Sequence, residues 1–254
     1  MSKNAITNSL SYSGYCNTCN KIHSLPSEKA IIHCINLMQQ LKTNCRLDLE
    51  SPIEKADERL STKHLYTALG GEMLGVLVCE DDLGNEVILR AFSTTHNGVW
   101  NVIGWVPHLA DEKEYMRIVN AGNIEIHPLT ELIQTLKKDS AEWKEKNLER
   151  KLISQKVLLQ LNSLYEITNF KNQKRTLSKA FNIKKGIPNG TGDCCAPKLL
   201  NYAAKNNLKP ISIAEFYWGK SPLSGSKVEG EFYSSCSDKC QPLLGFMLCG
   251  SFEN

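Results

Sequence analysis

The pattern of apolar and polar positions divides the chain into recognisable elements. Ile31, Ile32, Cys34, Ile35, Leu37, Met38 and Leu41 recur at helical spacing and predict a helix over Ser27–Leu41. Met73–Cys79 and Glu86–Phe92 are rich in β-branched residues and flank the acidic, glycine-containing turn Glu80–Asn85, which predicts a β-hairpin. Val99–Val106, with Trp100 and Trp105, reads as a third strand ended by Pro107. Residues 111–181 read as helices: one over Asp111–Val119, one starting at Thr130, and a long one over Ala141–Tyr165 with Leu148, Leu152, Val157, Leu158, Leu161 and Leu164 as its apolar face. Gly190-Thr191-Gly192-Asp193 predicts a tight turn into a helix with Asp193 as N-cap, Pro197 in the first turn and Asn206-Asn207 at its end. Lys209–Gly219 alternates as a strand, and a second helical start follows at Cys236–Cys240. The expected fold class is α/β (α+β), with a small mixed or antiparallel sheet, a hairpin, a helical insertion and cysteine-bearing helices.

Composition narrows the class. At 254 residues and 41% apolar content the chain can bury a substantial core. No apolar run approaches the roughly 18–20 residues of a membrane span, and the polar N-terminus does not read as a signal peptide, so no membrane partner and a cytoplasmic location are expected. The net charge of +3 is unevenly spread: residues 131–185 hold 13 Lys/Arg against 6 Asp/Glu. That segment reads as a solvated helix face or as a surface for RNA phosphates, with Arg150, Lys151, Lys171, Lys174, Arg175, Lys184 and Lys185 as the contacts.

The ten cysteines change the picture most. Without a secretory signal they point to metal binding or buried thiols rather than to disulfides. Cys16-x-x-Cys19 with His23 is half of a zinc-knuckle site, for which Cys34 or Cys45 are possible completions; the alternative is that the pair joins the C-terminal sulfurs in one site, and two separate regions are expected. Cys194 and Cys195 lie at one helix start, and Cys236 and Cys240, four apart, at the next, where they would share a helix face. His96, His108 and His127 have no motif around them that would make a Cys–His hydrolase. The order hairpin, cysteine helix, strand, cysteine pair resembles the zinc-dependent nucleobase deaminases, in which one helix start gives one ligand, the next gives two, and the fourth position is open. Two departures stand out. The position two after Cys194 is Ala196 and two after Cys195 is Pro197, where the family has its proton-carrying glutamate, and the second pair is Cys-x-x-x-Cys. Fast deamination is therefore not expected unless a carboxylate arrives from elsewhere. Glu215, on the intervening strand, is the best placed, and Asp193 is a second possibility.

A second resemblance covers most of the chain. Gly14-Tyr15-Cys16, His23-Ser24-Leu25-Pro26, Gly70-Gly71-Glu72-Met73-Leu74-Gly75-Val76-Leu77, Gly104-Trp105-Val106-Pro107, the run from Gly190 to Leu200, Ala214-Glu215-Phe216-Tyr217-Trp218-Gly219, and Phe232–Gly245 with its two cysteines stand in an order similar to the extra N-terminal region of long RluA-type RNA pseudouridine synthases. The synthases' own His-Arg-Leu-Asp signature is absent from the sequence. The resemblance thus implies a zinc-binding accessory module that binds ribosomal or transfer RNA, a pseudouridine synthase, or both, and that is not a pseudouridine synthase on its own. Four segments are expected: a knuckle-like segment and helix (1–45), a hairpin and sheet region (46–110), a basic helical insertion (111–186), and the cysteine-bearing helices and strand that complete the core (187–254).

Overall fold

The computed structural model describes residues 10–68, 70–182 and 186–251. Its centre is a three-stranded antiparallel sheet in the order β4-β3-β7, made of β3 (Glu72–Glu80), β4 (Glu86–Phe92) and β7 (Lys209–Trp218). The expected hairpin is present: Leu74 pairs with Phe92 and Glu80 with Glu86 around a turn in which Asp81 accepts from the amides of Leu83 and Asn85. The period of two sends alternate side chains to opposite faces. On one face Leu74, Val76, Val78, Phe92, Ala214, Phe216 and Trp218 pack against Ala30, Cys34, Leu37 and Leu41 of α1 (Glu28–Asn44). On the other, Leu77, Cys79, Ala91 and Ile213 meet Cys195, Ala196, Leu199 and Leu200 of α5 (Cys195–Lys205) and Leu243, Leu244 and Met247 of α6 (Gln241–Met247). The result is a helix–sheet–helix sandwich of mixed α/β class, drawn from 1–45, 46–110 and 187–254 alike.

Three elements depart from the expectation. Val99–Val106 is not a strand: apart from a bridge from Val99 to His96 it is turns, with Gly104 at φ 82° and the Trp105 amide bonded back to Val102. Its tryptophans serve packing instead, Trp105 donating from Nε1 to the Leu47 carbonyl at 2.8 Å and lying edge-on to Phe92. The two helices expected after Asp111 are one, α2 (Glu112–Thr135), which contains Pro128. It pairs with α3 (Ala141–Ser163), Gly122 leaving room for Val157. Leu148 and Leu152, expected on the inner face of α3, are exposed, while Leu161 is buried. Beyond α3, β5 (Glu166–Thr168) and β6 (Lys174–Thr176) form a small ladder that leads into α4 (Leu177–Ala180).

The N-terminal segment forms a second hairpin, β1 (Tyr12–Cys16) and β2 (Lys21–Leu25), which lies across α6. Contact is backbone on backbone. A Cβ at Gly245 would fall on the Tyr15 carbonyl, and one at Gly14 on the Gly245 amide. Gly245→Ala is therefore expected to lower stability by about 1–3 kcal/mol or more, read from the denaturant midpoint. An unchanged midpoint would mean that the hairpin does not rest on α6. Among the described residues no helix is long and apolar enough to cross a membrane.

Candidate metal centres

The fold gathers seven of the candidate and neighbouring side chains into two groups. Cys16, Cys19, His23 and Cys249 form the first, and Cys194, Cys236 and Cys240 the second; within each, the ligand atoms lie within 4.8 Å of one another.

The first group is built by the hairpin. Cys16 ends β1, Cys19 sits in the turn and His23 is on β2, so the knuckle spacing becomes convergence. His23 Nε2 is 3.0 Å from Cys19 Sγ, and Cys249 Sγ is 3.8 Å from Cys19 Sγ. Four soft or borderline donors at this separation fit a tetrahedral ion, whose sulfurs stand about 3.5–4 Å apart. The fourth donor of the group is Cys249, just beyond α6, and neither Cys34 nor Cys45. Cys34 is fully buried on α1 with its thiol directed to the Ala214 carbonyl, and Cys45 is exposed at the end of the same helix. Burial is outweighed at Cys16 by hydrogen bonds from Cys19 and Thr18, which hold its thiol below the usual range, while burial pushes Cys249 up to about 12.

The second group comes from two chain reversals. Gly190 and Gly192 take φ of 73° and 98°, and the turn delivers Cys194 as the N-cap of α5, one residue later than expected. Asp193 is engaged elsewhere, accepting from Tyr165 Oη at 2.5 Å and facing His108 Nε2 at 3.0 Å. Lys198 fixes the helix against the sheet, its buried ammonium donating to the carbonyls of Phe92 and Thr94. Cys195 points away from the group, its thiol 3.2 Å from the Met73 carbonyl, so only one of the doubled cysteines belongs to it. Cys236 and Cys240 do not share a helix. They bracket a turn closed by the Cys240 amide on the Cys236 carbonyl, and Cys240 caps α6, with Pro242 in the first helical turn. Cys236 Sγ is 3.3 Å from Cys240 Sγ. Hydrogen bonds from Cys194 and Cys240 hold the Cys236 thiol far below the usual range, while the bond to Cys236 pushes Cys194 up. Three sulfurs, one of them on an exposed residue, can hold a metal ion with a position to spare.

Glu215 stands beside this second group. Its carboxylate Oε1 accepts from the Ala196 amide at 2.6 Å. The amide two residues after Cys194 thus meets a carboxylate that comes from β7 rather than from the helix. Helix N-termini leave such amides without intrahelical partners, so the contact also caps α5. Room for it comes from Gly75, which pairs with Glu215 and where a Cβ would press on the Cys195 and Glu215 side chains. The Glu215 amide is bonded to Tyr12 Oη, which in turn donates to the Tyr233 carbonyl, and the Tyr233 amide donates to the Glu215 carbonyl. Burial raises its pKa to about 7, against the Ala196 bond that lowers it.

The remaining candidates scatter. His96 is buried against Glu72, and His127 is exposed on α2. Arg150 and Lys151 lie on α3, Arg150 bonded to Asn147. Lys174 pairs with Glu166 at 3.1 Å, and Arg175 lies over the Phe246 ring at 4.6 Å; Lys171 is on the exposed turn between β5 and β6. Lys184 and Lys185 lie outside the described residues. Sequence reasoning missed Cys249, which has no spacing to the other ligands that marks it. No family model matches the chain, and no curated protein or solved structure matches it.

Proposed function

We propose that this chain is a zinc protein of RNA modification whose second centre is hydrolytic, of the nucleobase-deaminase type, while its first centre is structural. The observation that carries the reading is the Glu215 carboxylate at the Ala196 amide, beside Cys194, Cys236 and Cys240. The order of hairpin, cysteine-capped helix, antiparallel strand and cysteine pair supports the deaminase-like layout. Sulfur-rich donor sets favour zinc, and zinc with an open position supplies a Lewis acid that makes water nucleophilic at neutral pH. Cys194, Cys236 and Cys240 would hold it. Glu215 would take a proton from the attacking water and pass it to the departing amine, so that the water oxygen would add to the ring carbon, the carbon–nitrogen bond would break and ammonia would leave. The test is ammonia release from cytosine- and adenine-bearing nucleotides and short RNAs by zinc-loaded protein, against protein stripped of metal. Release that requires the metal supports the reading; its absence from all of them overturns it.

A second reading is the non-catalytic accessory module of a pseudouridine synthase, implied by the RluA-type resemblance and favoured by the closed first centre. Under it the basic segment meets RNA. Arg175 is unsuited to a test because its guanidinium packs on Phe246. Reversing Lys151, Lys171 and Lys174 is instead expected to weaken transfer- or ribosomal-RNA binding and to flatten its salt dependence by about two to three log units per log unit of salt. Binding that ignores salt would leave these residues as a solvated face.

A further inference from the structure

Two lysines stand near the second centre. Lys227 lies on the Ser/Gly/Pro-rich stretch after β7, with its Nζ 3.5 Å from the centre of the Tyr233 ring. The stretch is held there: the Val228 amide donates to Tyr233 Oη at 2.7 Å, and Tyr233 is itself tied through its own amide to Glu215. Lys227 is half-buried and within electrostatic reach of both Glu215 and Cys236. Lys239 lies between the ligands Cys236 and Cys240 in sequence, and its Nζ would stand 3.3 Å from a Cβ at Gly190, against the turn that delivers Cys194. Among the described residues neither ammonium is in ion-pair contact with a carboxylate.

We infer that this centre takes its base with a phosphate attached, as a mononucleotide or within an RNA strand, and that Lys227 and Lys239 hold the phosphate. The inference rests on the hydrolytic reading for the base, but its phosphate part stands on the two lysines alone. Tyr233 explains why Lys227 suits the task. The ring supports the ammonium on one side and the stretch is anchored on the other, so little side-chain freedom is lost when an anion arrives. A free base or nucleoside offers these cations nothing. The competing role for Lys227 is that of counter-charge to the thiolates, and it predicts a different result on substitution.

The experiment is calorimetric titration of the zinc-loaded full chain with CMP and AMP, with cytidine and adenosine, and with a short single-stranded RNA, alongside metal analysis. A single charge-assisted contact is worth about tenfold or more in affinity. Nucleotides are therefore expected to bind at least tenfold more tightly than nucleosides. Lys227→Met, which keeps the stem over Tyr233, is expected to erase most of that preference at unchanged metal content, and Lys227→Arg to restore it. Binding of nucleosides as tight as that of both the nucleotides and the RNA overturns the inference, and so does loss of metal in Lys227→Met, which assigns the residue to the centre's charge balance. Phosphate-dependent binding without ammonia release would retain this inference while the hydrolytic reading fails; release without phosphate preference would do the reverse. Tight binding of the RNA but not of CMP or AMP identifies a strand as the source of the phosphate.

Discussion

A Cys249→Ser protein is expected to lose metal binding at the first centre and to melt about 6–20 °C below the unaltered chain. An ion there would join residues 12–25 to the end of α6, since the donors Cys19 and Cys249 are 230 positions apart. Structural zinc in small domains contributes an apparent 10–16 kcal/mol or so, against a total stability of about 5–15 kcal/mol for a typical domain. Only part of the binding energy is at stake here, because the three-stranded sheet has a core of its own. A loss of about 3–5 kcal/mol is reasonable, and each kcal/mol shifts the midpoint by about 2–4 °C in a chain of this size. The effect should also reach the second centre. α6 is capped by the donor Cys240 and ends just before the donor Cys249, with only seven helical residues between. Freeing its end loosens Cys240, so the second centre's metal affinity should fall although its three sulfurs are untouched. Cys194→Ser should instead remove the second ion and leave the first. Metal content and thermal unfolding of the two variants check both statements; full metal content in Cys249→Ser would contradict them.

Glu215→Gln is expected to lower metal-dependent ammonia release by about a hundredfold to ten-thousandfold, the usual contribution of a positioned proton carrier. Metal content and melting temperature should change little. The glutamine carbonyl oxygen can still accept from the Ala196 amide, so the cap of α5 survives while the proton-carrying function is lost. That separation makes the variant informative. If Glu215 were only a cap, glutamine would serve as well and activity would stand. Glu215→Ala is less useful, since it leaves a buried amide without a partner and a space beside Gly75.

The parts of the fold that were readable in the sequence are those where local pattern and tertiary role agree. β3 and β4 carry β-branched runs around a turn whose Asp81 bonds forward to Leu83 and Asn85, and α1 has a continuous apolar stripe that the sheet covers. Val99–Val106 misled because aromatic residues suit strands in general, whereas here Trp105 fills the space between Phe92 and Leu47 from a turn. The N-terminal hairpin was hidden by its content: Tyr12–Cys16 holds serine and glycine, and the glycine is there so that α6 can approach. The knuckle spacing of Cys16, Cys19 and His23 marked three of the four donors that the structure gathers in the first group. Cys249 could not be found that way, because only the docking of α6 under the hairpin brings it near. Glu215 was visible as the carboxylate between two cysteine-bearing starts, but its contact with the Ala196 amide depends on the register of β7 against β3. Register is a tertiary property that no spacing reports.

The most direct test of two centres, one closed and one open, is optical titration of the metal-free chain with cobalt(II), followed by a small anion such as cyanide or azide. Two cobalt ions per chain are expected, both with the strong absorption of thiolate ligation. Added anion should change the spectrum of one ion only, and that response should vanish in Cys194→Ser and persist in Cys249→Ser at saturating cobalt. One ion per chain, two ions that both ignore the anion, or a Cys194→Ser protein that still binds two and responds would contradict the account.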